Sequence, residues 1–246
     1  MPTVLVVRKF DNFSRILQEN GFSVVNLPTI ETVEIENSAD LNTKIAAKNY
    51  DGIFLTSQKA TEIAEREIFS KQNYGGKVYV LGRKSFDTLK DKNILLSFDE
   101  TANTAQEMLE KITLDELKDK KFLFIRGERS LGKVKEFLKK IASLDEEIVY
   151  ETHKIVIEDS LKIEIEAKRD EIVFVCFFSP SGAESFLEQF GEKFLEKTKI
   201  AVIGRTTADF FGKQNLEADF IAKKASAEDF AVELVDYLRK EAEASA

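Results

Sequence analysis

Six hydroxyl side chains recur where an apolar run gives way to a helical pattern: Ser57, Ser85 and Thr104 in the first half of the chain, and Ser179, Thr207 and Ser226 in the second. A hydroxyl at such a junction accepts a hydrogen bond from an orphaned backbone N–H and caps the helix. Taken singly, each residue reads as a cap. The same junctions carry free N–H groups and the positive end of a helix dipole, and so also bind carboxylates. Six of them at corresponding positions give that second reading weight. Gly82 and Gly204 end the strands before Ser85 and Thr207, and Pro180 follows Ser179 where a missing N–H costs nothing. Basic residues cluster nearby: Arg8, Lys9, Lys59, Arg83, Lys84, Arg126, Arg129 and Arg205. Most read as solvated surface charge. Arg8 and Arg126 stand at the ends of buried strands and are expected as ligand contacts or ion pairs between lobes.

Other chemistries find little support. One cysteine, Cys176, lies in an apolar run and reads as a core residue, and the one histidine, His153, lies in an alternating strand. A zinc site needs about four soft or imidazole ligands, and a serine triad needs a placed histidine, so neither is expected. The net charge of −8 argues against nucleic acid, whose phosphates require a basic face. It leaves room for a locally positive cleft and an anionic small molecule. Neither glycine-rich phosphate signature is present, and Gly75-Gly76 reads as a turn between helix and strand. Dinucleotide and ATP chemistry therefore lose their usual support.

Apolar runs at 4–7, 52–55, 78–81, 122–125, 172–178 and 200–203, and a further strand at 22–27, alternate with helical patterns. Unbroken apolar strands suit a parallel sheet buried on both faces, and intervening helices supply the crossovers. The class is α/β. The stretches 30–36 and 148–157 instead alternate apolar with polar residues, as half-exposed strands do, and are expected to connect two lobes. No apolar run approaches the roughly 20 residues of a membrane span, and the N-terminus lacks the basic and small-residue features of a signal peptide. A cytoplasmic protein is expected, with no membrane partner. Residues 241–246 are expected to be a frayed helix end.

An internal repeat organises the chain. Ser57 and Ser179, Gly82 and Gly204, Ser85 and Thr207, and Thr104 and Ser226 are pairs each separated by 122 residues. Val4-Leu5-Val6-Val7-Arg8 matches Phe122-Leu123-Phe124-Ile125-Arg126 in kind at a separation of 118. Each half encodes the same run of strand–helix units. Two similar lobes, each a parallel sheet flanked by helices and joined by a two-strand connector, are expected to face a ligand cleft.

Phe177-Phe178-Ser179-Pro180-Ser181-Gly182, followed by Ala201-Val202-Ile203-Gly204-Arg205-Thr206-Thr207-Ala208, resembles the signature of the uroporphyrinogen-III synthase family. Phe54-Leu55-Thr56-Ser57, Phe124-Ile125-Arg126-Gly127 and Val149-Tyr150-Glu151-Thr152 resemble other family segments in the same order. The chain departs from the family pattern in lacking a proline after Ser57 and in carrying Ser85 where threonine is common, and both changes keep the hydroxyl. The resemblance implies discontinuous lobes, residues 1–30 with 155–246 and residues 31–154 including the connector strands. It implies a cofactor-free cyclising lyase that converts hydroxymethylbilane to uroporphyrinogen III with inversion of ring D through a spiro intermediate. Tyr150 stands where the resemblance places a proton donor to the departing hydroxyl. Ser57, Ser85, Ser179, Ser181, Gly182, Gly204, Thr206, Thr207, Arg8 and Arg126 are the residues expected to hold the substrate. Such an enzyme works mainly by positioning, because the free bilane closes to the symmetric type I isomer. A monomer is expected, with the preceding deaminase as a candidate for channelling. The competing reading is a non-catalytic two-lobe binding or sensor module for a small polycarboxylate.

Overall fold

The computed structural model describes residues 2–35, 41–130 and 132–244. Glu36, which closes the first alternating stretch, and residues 245–246 of the expected frayed end lie outside them. Contacts divide the chain into two units, Met1–Glu31 with His153–Ala246, and Thr32–Thr152.

In the first unit, β1 (Thr3–Val6), α1 (Asn12–Glu19) and β2 (Ser23–Asn26) come from the N-terminus. The rest comes from α8 (Asp159–Ala167), β9 (Ile172–Phe177), α9 (Pro180–Phe190), β10 (Lys199–Val202), α10 (Arg205–Lys213), β11 (Phe220–Ile221) and α11 (Ala227–Ala244). Among the described residues the sheet order is β11-β10-β9-β1-β2, with all four pairings parallel. Alternation along the strands explains why the apolar runs are continuous. Val4, Val6, Phe174 and Cys176 face a cluster with Phe13 and Leu17 of α1 and Phe230 and Leu234 of α11. Leu5, Val7, Val175 and Phe177 face Ala183 and Phe186 of α9 and Phe211 of α10. Both faces are covered by helices, so beyond their first residues, Thr3 in β1 and Lys199 in β10, the central strands are apolar throughout.

The second unit repeats this plan. It runs through α2 (Leu41–Lys48), β4 (Gly52–Leu55), α3 (Gln58–Ala64), β5 (Lys77–Val80), α4 (Arg83–Leu89), β6 (Leu95–Phe98), α5 (Ala105–Glu110), α6 (Leu114–Leu117), β7 (Lys121–Gly127), α7 (Lys133–Leu138) and β8 (Ser143–Lys154). With β3 (Ile30–Glu34), the sheet order is β3-β8-β7-β4-β5-β6. Ile53, Leu55, Leu123 and Ile125 pack with Ile63 of α3 and Leu89 of α4. Phe54, Tyr79, Phe122 and Phe124 pack on the other face with Leu109, Leu117 and Leu138. Ile155 N–H donates to Thr29 O at 2.9 Å and Ile35 N–H to Val149 O at 3.1 Å, so β3 and β8 run antiparallel.

The repeat and the units do not coincide. β5 and β10 correspond at the same 122-residue separation, as do Phe98 of β6 and Phe220 of β11. Yet β1 and β2 of the first repeat sit beside β9 to β11 of the second, and β4 to β6 of the first sit beside β7 and β8 of the second. Each sheet is assembled from one piece of each repeat.

Two differences from the sequence reading have local causes. β8 begins at Ser143, five residues before the alternating stretch. Its first turn-like residues, Asp145-Glu146-Glu147, are held in a strand because each carboxylate is taken: Asp145 by Tyr50 and Lys48, Glu146 by Arg126 and Lys135, and Glu147 by Lys44. The edge strands β6 and β11 were not expected, being short and bounded on one side by solvent.

Candidate active site

Ser57 follows β4 with extended backbone (φ −137°, ψ 145°), and its Oγ accepts from Ala60 N–H at 3.2 Å, capping α3. Its carbonyl accepts from the buried Thr61 hydroxyl at 2.9 Å. The Tyr150 hydroxyl donates to the same Ser57 Oγ at 3.1 Å, across 93 residues of chain. Both lone pairs of Ser57 are therefore engaged, and its own proton remains to be given. The two hydroxyls stand beyond the carboxyl end of β4, where open α/β sheets collect ligands.

Arg126, at the end of β7, is only 18% exposed as a side chain. Its Nε donates to Glu146 Oε1 at 2.8 Å, and its Nη1 donates to the carbonyls of Gly127 and Glu128, both at 2.9 Å. Glu146 is held below the usual carboxylate range, chiefly by the hydrogen bond from Lys135 and then by Arg126. In the first unit, Arg8 pairs with Asp11 at 3.0 Å and lies 4.4 Å from the Phe178 ring centre. Each arginine thus has an ion-pair partner within its own unit.

Ser179 is the first unit's counterpart of Ser57. Its Oγ caps α9 through Gly182 N–H at 3.1 Å and lies 3.2 Å from Ser181 Oγ. Gly182 is buried, and its carbonyl accepts from Thr29 Oγ1 at 3.0 Å. Thr104 and Ser226 cap their helices through Glu107 and Asp229 N–H groups. Ser85 and Thr207 do not open helices as expected. They lie inside the first turn of α4 and α10, each 2% exposed, because those helices begin two residues earlier, at Arg83 and Arg205, with Gly82 and Gly204 at the cap positions. Neither glycine supplies a side-chain cap, so the N–H groups that begin α10 are left uncapped by side chains, with Arg205 and Thr206 exposed beside them. A Cβ at Gly204 would meet nothing within 4 Å, and its φ of 172° suits any residue.

Thr29 was not singled out from the sequence, and Gly127 stood there only as the last residue of a family-like segment, with no role. Thr29 is fully buried and ties the first crossing to α9, its carbonyl also accepting from the Ser185 hydroxyl at 2.8 Å. Gly127 carried a signal that went unused, a glycine directly after a buried strand's terminal arginine. Cys176 is fully buried, which raises its thiol pKa well above the ordinary value. Among the described residues no three His, Cys, Asp or Glu side chains could together hold a metal ion, and no helix is long and apolar enough to cross a membrane.

Residues 11–231 match the family model described as uroporphyrinogen-III synthase HemD. The chain belongs to the uroporphyrinogen-III synthase family. A curated uroporphyrinogen-III synthase from Chlorobaculum parvum is 29% identical over 252 residues, covering 97% of this chain and all of the relative. The fold agrees with uroporphyrinogen-III synthetase of Helicobacter pylori (TM-score 0.60, 20% identity, 97% of this chain and all of that one). It agrees equally with a mutant uroporphyrinogen III synthase of Thermus thermophilus (TM-score 0.61, 15% identity, 98% of this chain and all of that one). Uroporphyrinogen-III synthases are cyclising lyases of tetrapyrrole biosynthesis, and the family match does not favour the non-catalytic binding module.

Proposed function

We propose that this chain closes hydroxymethylbilane to uroporphyrinogen III, with Tyr150 as the proton donor to the departing terminal hydroxyl. The observation that carries the assignment is the 3.1 Å contact between the Tyr150 hydroxyl and Ser57 Oγ. Hydroxyl protons rotate to suit their partners. When substrate takes the Tyr150 proton, Ser57 can turn its own proton toward the phenolic oxygen while still accepting from Ala60 N–H. That bond strengthens as negative charge develops on Tyr150, so it acts on the transition state more than on the bound substrate. Loss of water gives the azafulvene, which the ring D carbon already bearing the bridge attacks to form the spiro intermediate.

The substrate's carboxylates fit a second set of groups. The uncapped start of α10, with the exposed Thr206 and Arg205 and the bare Gly204, offers backbone N–H donors to an anion. Ser179 and Ser181, half-buried beside the α9 start, complete the substrate-binding assignment in that unit. Ser85, Thr207 and Gly182, all buried, support these turns from within.

The test is product analysis with hydroxymethylbilane made in situ by the preceding deaminase. The expected result is a protein-dependent excess of the type III isomer over type I. Tyr150→Phe is expected to lower turnover on the order of 100-fold, the lower end of what a positioned acid contributes. Turnover near the parent value would remove Tyr150 from the acid role.

A further inference from the structure

The route by which Tyr150 reaches Ser57 is unusual for a strand residue. β7 and β8 pair in parallel with regular register from Lys121↔Ser143 to Arg126↔Ile148, after which Gly127 pairs with Tyr150 and Val149 is left over. In a regular strand, consecutive side chains point to opposite faces. Here Val149 and Tyr150 both join the cluster that includes Ile63 of α3. The extra residue re-aims Tyr150 toward the face on which α3 begins.

The re-aimed ring needs room, and Gly127 provides it. A Cβ at Gly127 would lie 2.4 Å from Tyr150 Cζ, 2.5 Å from Cε2 and 2.7 Å from the hydroxyl oxygen. The phenol lies over the bare Cα. The backbone beneath it is fixed twice, by Glu128 N–H donating to Tyr150 O at 3.0 Å and by the Arg126 Nη1 bonds to the Gly127 and Glu128 carbonyls. Glu146 holds that guanidinium in turn.

We infer that Gly127 and Arg126 are positioning residues for Tyr150, the glycine clearing the ring's place and the arginine holding the strand end on which the ring rests. This rests on the proposed role of Tyr150 for its effect on turnover, though not for its effect on the ring. The chain has five tyrosines and no tryptophan, so ring-labelled tyrosine gives few NMR signals, and the one lost in Tyr150→Phe identifies Tyr150.

In Gly127→Ala, the Tyr150 signal is expected to move while the other four stay. kcat should fall roughly 10- to 100-fold with KM changed by no more than about twofold. In the Tyr150→Phe background, Gly127→Ala should remove little further activity, because the two changes act through one group. Arg126→Lys keeps a charge for Glu146 but cannot hold two carbonyls with a planar fork. It should move the same signal less and lower kcat less, and it answers the question if Gly127→Ala does not fold. An unmoved Tyr150 signal, or an undiminished loss on top of Tyr150→Phe, overturns the inference. A moved ring with parental turnover leaves the positioning intact and defeats the acid assignment instead.

Discussion

The two halves of the repeat supply a matched pair of substitutions, Ser57→Ala and Ser179→Ala. Each removes a cap of the same geometry, Ser57 Oγ to Ala60 N–H at 3.2 Å and Ser179 Oγ to Gly182 N–H at 3.1 Å. Losing such a cap costs about 1 kcal/mol, and both variants should melt within a few degrees of each other and slightly below the parent. Their effects on turnover should diverge. Ser57 also receives the Tyr150 hydroxyl, and in the proposed reaction it turns its own hydroxyl proton toward the forming phenolate as a hydrogen-bond donor. A hydrogen bond to a charged group contributes about 1.5–3 kcal/mol. Tyr150 is only half-buried, so water restores part of that, and the lower end, roughly tenfold in kcat, is expected. Ser179 has Ser181 as its side-chain neighbour instead, so Ser179→Ala should spare kcat and raise KM about fivefold, the worth of one neutral hydrogen bond. The assay is initial rate and isomer ratio over a range of bilane concentrations, beside a thermal melt. Equal kcat losses in the two variants, or a larger loss in Ser57→Ala than in Tyr150→Phe, would refute the reasoning.

Cys176 should resist alkylation in the native protein and react at full rate only in denaturant, since it is fully buried with its thiol pKa raised; rapid native labelling would contradict the packing of β9. Acid should weaken the second unit before the first. Glu65, Glu67, Glu116, Asp145 and Glu146 there are lowered, chiefly by hydrogen bonds from Lys92, Lys71, Lys77, Tyr50 and Lys135 respectively, whereas Glu241, lowered by Lys199, is their partly buried counterpart in the first unit. A depressed carboxylate binds fewer protons folded than unfolded, so its stabilisation is present above the unfolded value near 4 and is lost as pH falls below it. Hydrogen exchange resolved by residue between about pH 5 and 3 should show residues 32–152 opening first; earlier opening of 153–244 would oppose this.

The interior strands were legible because burial on both faces leaves one residue class admissible, as in β1, β4 and β9. β6 and β11 were not, since β11 has only two residues and β6 carries Ser97 and an exposed Leu95 at an edge that makes weak demands on composition. The start of β8 was hidden for another reason. Asp145, Glu146 and Glu147 do not alternate with apolar residues, and the partners on α2, β7 and α7 that hold them lie from 11 to 103 residues away in sequence. At the candidate site, the Ser57 and Ser179 caps followed from strand–hydroxyl–helix order alone. Ser85 and Thr207 were misplaced by two residues, because a glycine can begin a helix without supplying a side-chain cap and so leaves no polar marker. The Tyr150–Ser57 contact could not be read from spacing. It depends on one unpaired residue in β8 and one absent Cβ in β7, neither of which has a periodic signature.

The interleaving of the repeats has a consequence for how the chain comes into being on the ribosome. Residues 32–152 are contiguous and hold every strand from β4 to β8, so this unit can close its sheet as soon as it has emerged. β1 cannot. Its place lies between β2 and β9, and β9 ends at Phe177. At roughly 5–20 residues per second, the apolar N-terminal segment waits on the order of ten seconds or more for that partner. During that interval Val4, Leu5, Val6 and Val7 have only β2 and α1 to shelter them. A chain stalled once β8 but not β9 has emerged from the ribosome should therefore be cut readily by protease before Thr32 and resist it from there to Thr152, and protection of the first thirty residues at that stage would show a different order of assembly. Newly made chains, more than finished ones, are then the species in need of a chaperone.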